Sequence, residues 1–503
     1  MALLLGCDIG TTSIKAVLYD AQLGKVVRTA VRPTPVQHPR QGWSEHDPEL
    51  MWAAACDCIR EAAGGQAVAG LAICSMAETG VLLDEANQPL SPMIAWYDRR
   101  SEPQAAAVES QISAAGLYAV TGQRVSPSFA VTKILWTKEQ YPDLYARARR
   151  WLPVGAYLLN RLSGQAAMDY TIASRTLLFD QHTLDWSPML LDRFGIASNL
   201  LPPAHWAGTA VGTISAAASE QTGLPRSTVC VLGGHDHLCA SLAAGGHHSG
   251  AVVDSTGSAN ALIMLLPQFL PDPRLAEGSF SSYAYVLEGL YTLKGGLKAS
   301  GSAVEWLARQ LSGGDPDYAS LEAAAWEGIG RQAGPIWLPH LIGSGTPQGD
   351  RFSRAAVVGM QFEHQRHDLF RGLLESLAFW TRQNLEVMQS FTSLPVESLA
   401  LIGGAVRLRL LSQLKADVMN RAACIPGVPE AAAAGAALLA GLGCGVFDHP
   451  AQAVDSVRYE SETIEPDPKR AEWYDALYHQ VYLPLYKTLR PVDDALNKMT
   501  DAS

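Results

Sequence analysis

The 503-residue chain has no Cys-x-x-Cys pair, no run of lysines and arginines, and no apolar stretch long enough to span a bilayer. Each absence removes a class of function. Its eight cysteines, at 7, 56, 58, 74, 230, 239, 424 and 444, show no metal-ligand rhythm; they read as reduced core thiols in a cytoplasmic protein. Charged residues make up only 17% and the formal net charge is −11, so nothing is expected to track a nucleic-acid backbone or an anionic membrane. A negative surface still permits a phosphate pocket, because converging backbone amides supply positive potential without basic side chains. The start, Met1 to Asp8, lacks a basic segment before its short apolar stretch, which argues against a signal peptide. The longest uncharged apolar run, Ala431 to Phe447, is rich in Ala and Gly and predicts a buried helix followed by a turn.

What is present points to a globular α/β protein. Hydrophobic residues reach 48%, and a chain of this length divides into about two to four domains. Residues 3 to 31 alternate as strands: Leu3 to Cys7, a turn at Gly10-Thr11-Thr12, Ile14 to Tyr19, a turn near Gly24, then Val26 to Val31. Helical spacing at Leu50 to Ala63 and a strand at Val68 to Cys74 follow. Residues 250 to 265 repeat the plan of strand, Gly/Ser/Thr turn and strand. That repetition predicts a duplicated domain, 1–245 and 246–503, with a cleft between the halves. In the second half the spacing predicts a helix at Ser302 to Leu311, a Gly/Pro-rich loop over 334–350 and a helix from His367 to Gln389. A strand at Ser398 to Ile402, a helix to Asn420 and a helical, aromatic tail after 465 complete it.

Chemistry concentrates at the two turns. In Asp8-Ile9-Gly10-Thr11-Thr12-Ser13-Ile14-Lys15, a glycine beside small hydroxyl residues lets amides converge on a phosphate, and Asp8 places a carboxylate where hydrated magnesium can sit. An ordinary polar hairpin turn is the plain alternative. A second such loop in a duplicated domain lets two hairpins grip one polyphosphate from both sides. His235-Asp236-His237 reads as a polar turn or as a base in the cleft; three adjacent residues on an extended segment do not converge on one ion, which disfavours a metal site.

The ordered motifs from Leu4 to Phe447 resemble the FGGY carbohydrate kinases, which include glycerol kinase and xylulokinase. Asp8 to Asp20 is similar to the family's first phosphate hairpin. Gly42-Trp43-Ser44-Glu45-His46-Asp47-Pro48 with Trp52, Trp96-Tyr97-Asp98-Arg99, and Thr121-Gly122 leading to Lys133 and Trp136 continue the N-terminal pattern. Gly233-Gly234-His235-Asp236, Gly257-Ser258, Gly301 to Trp306, Gly359-Met360 through Asp368 to Glu375, and Gly403-Gly404 with Gln413, Ala416 and Asp417 continue it to the C-terminal side.

The resemblance implies two ribonuclease-H-like domains of the actin/hexokinase type, an ATP-dependent carbohydrate kinase, and Asp236 as the base that takes the substrate hydroxyl's proton. It implies ATP held by Gly10, Thr11, Thr12, Ser13, Lys15, Gly257, Ser258, Gly301, Glu305, Gly403, Gly404 and Ala405, with Mg2+ at Asp8 through water. Glu78, Ala77, Ser128, His237, Trp96 and Asp98 would line the substrate. Ala77 stands where glycerol kinase has an arginine, and Ser128 where it has an aromatic; both exchanges enlarge the pocket and favour a ketopentose or related polyol over glycerol. Departures at Ala405, Leu408 and Ser344-Gly345 touch the adenine side. The expected partners are a small sugar or polyol and, as an open expectation, a second copy of the chain. The rivals are a catalytically silent regulatory relative, a glycerol-type polyol kinase and a carboxylate kinase of the same superfamily.

Overall fold

A computed structural model describes residues 2–331 and 334–501. The first alternating segment is an antiparallel meander of β1 (Leu3–Ile9), β2 (Ser13–Asp20) and β3 (Lys25–Pro33). Both faces of β1 are covered, which is why it is apolar almost throughout. Leu3, Leu5, Cys7 and Ile9 pack toward α1 (Pro48–Ala63), while Leu4 faces a second core shared with the other half of the chain. The helix α1 begins earlier than its apolar spacing predicts. Asp47 caps it, accepting from the Glu49 and Leu50 amides, and Pro48 occupies the first turn where a missing N–H costs nothing.

Parallel β4 (Gly70–Ser75) joins β1, and β5 (Ala210–Thr213) and β6 (Val229–His235) extend the sheet to the order β5-β6-β4-β1-β2-β3. From β6 the chain turns directly into α2 (Asp236–Ala243). The second sheet is built from β7 (Val252–Thr256), β8 (Asn260–Leu266), β9 (Ser281–Ala284), β10 (Tyr291–Leu297), β11 (Ser398–Ile402), β12 (Ala422–Ile425) and β13 (Glu462–Ile464). Its order is β9-β10-β8-β7-β11-β12-β13. Each sheet thus holds the same nucleus, an antiparallel trio whose first strand accepts a parallel neighbour: β3-β2-β1-β4-β6 answers β10-β8-β7-β11-β12. This is the duplicated ribonuclease-H-like plan of the actin and hexokinase type. The helices α3 (Gly301–Ser312), α4 (Arg366–Ser390) and α5 (Arg409–Met419) flank the second sheet.

The alanine-rich run is a helix, α6 (Ala431–Gly443), with nine buried positions. It belongs to the second half of the chain yet packs on the first sheet and on α2. The approach is close: a β-carbon at Gly6 would lie 1.8 Å from the Ala433 carbonyl oxygen. A seam of small residues therefore joins the halves, with Leu238, Cys239 and Leu242 of α2 facing Ala433, Ala436 and Ala440. Among the described residues no helix is long and apolar enough to cross a membrane.

The 334–350 segment differs from the expected loop. Ile336–Leu338 forms a short strand paired with Ala356–Val358; its partner lies beyond the Gly/Pro-rich stretch, so local spacing could not reveal it. In the tail, Tyr474, Tyr478 and Tyr482 pack around Phe379 of α4, at centroid distances of 6.0, 5.9 and 5.1 Å.

Candidate active site

The first hairpin turn is braced from outside. The Gly10 amide donates to the Ser13 carbonyl (3.1 Å), the Thr34 amide to the Thr12 carbonyl (3.1 Å), and the Thr34 hydroxyl to the Gly10 carbonyl (2.7 Å). Thr12 is left exposed and Thr11 and Ser13 partly so. The Trp96 indole N–H donates to Thr11 Oγ1 at 3.0 Å, tying the substrate side to this loop. Lys15 is less free than expected: its ammonium sits 2.6 Å from Glu430 Oε2, just before α6.

Asp8 lies in register with Lys15 on the adjoining strand. Burial, then the Asp236 carboxylate, pushes Asp8 up to about 8, and Lys15 only partly offsets this. Two carboxylates facing one another, with their nearest ammonium already committed, suit a divalent cation that keeps most of its own water. Among the described residues no cluster of three or more His, Cys, Asp and Glu forms a metal cage. The residues present therefore fit a hydrated Mg2+ arriving with its nucleotide.

The second turn is stitched to the start of α3. The Gly257 carbonyl accepts from the Gly301 amide (3.0 Å), and the Ser258 carbonyl from the Ser300 and Ser302 amides (3.0 and 3.1 Å). Beneath it lies a buried network. Lys415 Nζ reaches Asp254 Oδ2 at 2.6 Å and Thr256 Oγ1 at 2.7 Å, and the Thr256 and Thr381 hydroxyls donate to Asp254. Gly403, at φ +95°, crosses Thr256 so closely that a β-carbon would meet its carbonyl oxygen at 2.5 Å. Gly257, Ser258, Gly301, Gly403, Gly404 and Ala405 thus cluster around one corner. Glu305 does not join them by its side chain, which is half exposed and pairs with Arg309 along the helix.

Asp236 opens α2, where the helix's unpaired amides favour a carboxylate. Its Oδ1 accepts the His237 amide at 2.6 Å and lies 3.3 Å from His235 Nε2, and a quarter of the side chain remains exposed. Burial holds both imidazoles below their usual value, hence neutral at pH 7. Their rings stand perpendicular, 5.5 Å apart.

At the far end Glu78 is buried in a left-handed backbone conformation, φ +64°, a strained state that tertiary structure must hold. What holds it is Arg175, whose Nε and Nη2 lie 2.7 and 2.5 Å from Glu78 Oε1. Arg175 Nη1 donates to Gln123 (3.0 Å), and its guanidinium stacks 4.5 Å over the Phe129 ring. Ala77 is buried next to Glu78 along the chain, and Ser128, half-buried just before Phe129, has its carbonyl bound by Lys133. The guanidinium that faces Glu78 thus comes from a remote segment. Nothing in the local spacing marks Arg175 except a lone cation inside an otherwise uncharged run, Tyr170 to Phe179. Lys294 on β10 was equally silent, and it too lies within electrostatic reach of Asp236, Glu78 and Arg175.

Asp98 is held by the protein's own donors. It is buried, accepting from the Ser44 amide (2.7 Å) and from Arg100 through Nε (3.0 Å) and Nη2 (2.7 Å). Both oxygens are engaged, which fixes the loop that follows Trp96.

The chain matches known proteins over most of its length. Residues 3–243 match the model of the FGGY family of carbohydrate kinases, N-terminal domain, and residues 255–444 match its C-terminal domain. A glycerol kinase of Citrifermentans bemidjiense is 31% identical over 469 residues, covering 89% of this chain and 91% of that protein. A xylulose kinase of Lactococcus lactis is 25% identical over the full length of both chains. The crystal structure of xylulose kinase from Rhodospirillum rubrum superposes with TM-score 0.89 at 29% identity, covering 98% of this chain and all of that one.

Proposed function

Since the chain belongs to the FGGY family of carbohydrate kinases, we propose that it transfers the γ-phosphoryl group of ATP to a hydroxyl of a sugar larger than glycerol, a ketopentose such as xylulose being the best fit. The observation that carries this reading is the position of Asp236. It stands at the strand-to-helix junction within electrostatic reach of Asp8, and Lys294 lies within reach of Asp236, Glu78 and Arg175 alike.

Asp236 takes the attacking hydroxyl's proton as the bond to phosphorus forms. The amides and hydroxyls of Gly10 to Ser13 and of Gly257-Ser258 hold the phosphates, while Gly403, Gly404 and Ala405 bound the nucleoside side. Mg2+, held through water at Asp8, would neutralise phosphate charge. Glu78, locked by Arg175, accepts from sugar hydroxyls, and Trp96 and His237 wall the pocket. Small side chains at Ala77 and Ser128 leave room that a glycerol-sized ligand would not fill.

An ADP-release screen over ketopentoses, aldoses, polyols and glycerol tests the reading. Ketopentoses are expected to give the highest kcat/KM; turnover with glycerol alone would overturn the substrate class, and no sugar-dependent turnover at all would overturn the activity. Arg175→Ala is expected to raise the sugar KM by about 10- to 100-fold, since a charged hydrogen-bonding partner of a buried carboxylate is worth roughly 1.5–3 kcal/mol. An unchanged sugar KM would exclude Glu78 and Arg175 from the sugar end.

A further inference from the structure

The side chain that the sugar end leaves unused comes from the C-terminal half. On β9 and β10, Ser281 pairs with Lys294 and Tyr283 with Thr292, so Tyr283 and Lys294 share one face of the sheet. That face looks at the pocket: Tyr283 Oη lies 3.4 Å from His235 Nδ1, and the Arg175 guanidinium stands 6.0 Å over the Tyr283 ring. Lys294 acts on both His235 and His237 as well as on Asp236 and Glu78. The charges that weigh most on Asp8, by contrast, are Asp236, Lys15 and Glu430. Lys294 therefore belongs to the sugar end of the cleft, not the phosphate end.

Among the described residues its ammonium has no hydrogen-bond or ion-pair partner. The other groups there are spoken for or of the wrong kind. Arg175 spends Nε and Nη2 on Glu78 and Nη1 on Gln123. His235 is shared between Tyr283 and Asp236. The Asp236 and Glu78 carboxylates serve as acceptors, which suits a hydroxyl's proton; an ammonium only donates, which suits an oxygen that carries no proton. Every oxygen of a polyol can both donate and accept, whereas an open-chain ketose exchanges one hydroxyl for a carbonyl oxygen that solely accepts.

Resting on the proposed kinase reading, we propose that Lys294 is a specificity-determining residue that donates to the carbonyl oxygen of an open-chain ketose and so separates ketoses from the corresponding alditols. The C-terminal half thereby completes the sugar pocket as well as the nucleotide pocket.

The test compares xylulose with xylitol, and ribulose with ribitol, in the full-length enzyme and in Lys294→Met and Lys294→Arg. Lys294→Met is expected to lower ketose kcat/KM by about 10- to 100-fold, mainly through KM and at least about tenfold more than it lowers alditol kcat/KM. Lys294→Arg, which keeps the donors, restores most of the preference. In parallel, each sugar's shift of the melting temperature reports binding without turnover: the ketose shift is lost in Lys294→Met while the sugar-free melting temperature stays near the parent's. Equal losses for ketose and alditol, or none, overturn the role of Lys294 even when the kinase is active. A parent enzyme that phosphorylates none of the four sugars overturns the ketopentose reading instead, and the melting shifts still decide whether Lys294 selects the carbonyl.

Discussion

Asp236→Asn is expected to lower kcat by about 10²- to 10⁴-fold, the range for loss of a positioned general base, with little change in the KM for ATP or sugar. The amide has the carboxylate's shape and can still accept the His237 amide at the head of α2, where the native Oδ1 does so at 2.6 Å, so the fold should persist. What it cannot do is take up the hydroxyl's proton. The loss is bounded because phosphoryl transfer asks little covalent help of the protein; positioning by the two hairpins and charge neutralisation remain in the variant. Steady-state ADP release with saturating sugar measures it, and the slower sugar-independent hydrolysis of ATP serves as the internal reference. A variant with unchanged sugar-dependent kcat would remove Asp236 from the reaction.

Lys415→Met is expected to destabilise the protein by about 3–5 kcal/mol, the usual result of leaving one charge of a buried pair without its partner. The Lys415 and Asp254 side chains are 2% and 0% exposed, so water cannot replace the lost ammonium. The damage reaches the site as well. Thr256, which Lys415 also holds, is the strand end that carries the Gly257-Ser258 turn and supports Gly403. A higher KM for ATP should therefore accompany the lower midpoint of urea unfolding, while the sugar KM changes far less. Adding Asp254→Asn to Lys415→Met removes the orphaned charge and should recover part of the loss. A single variant within about 1 kcal/mol of the parent would show that the pair is not the structural brace inferred for it.

The two glycine-bearing hairpins could be read directly because their information is local. Alternation at Leu3 to Tyr19 and again at 250–265 needs no partner to be seen, and both segments fold as antiparallel pairs closed by a short turn. Helices with long apolar spacing were equally legible: His367 to Gln389 became Arg366–Ser390, extended at the start by the reciprocal cap of Gln365 and Asp368. The sugar end was half legible. Glu78 is marked by its neighbours in the motif, but its partner Arg175 lies 97 residues away, and no spacing rule pairs a carboxylate with a guanidinium across that distance. Asp98 shows the converse case. A carboxylate in a motif reads the same whether its oxygens face a ligand or are consumed by Arg100, and only packing tells the two apart. Lys15 and Glu305 were likewise legible as members of their motifs but not in what their side chains bind.

The seam between α2 and α6 bears on how such a cleft could shut. Large interdigitating side chains lock two helices in one register; alanine and glycine present a nearly smooth surface on which small sliding displacements need no change of rotamer. Gly435 is pressed so tightly to α2 that a β-carbon there would fall 1.9 Å from the Cys239 carbonyl oxygen. On the α6 side the joint is thus made by leaving material out, so that even a methyl group at Gly435 would have to push the two helices apart.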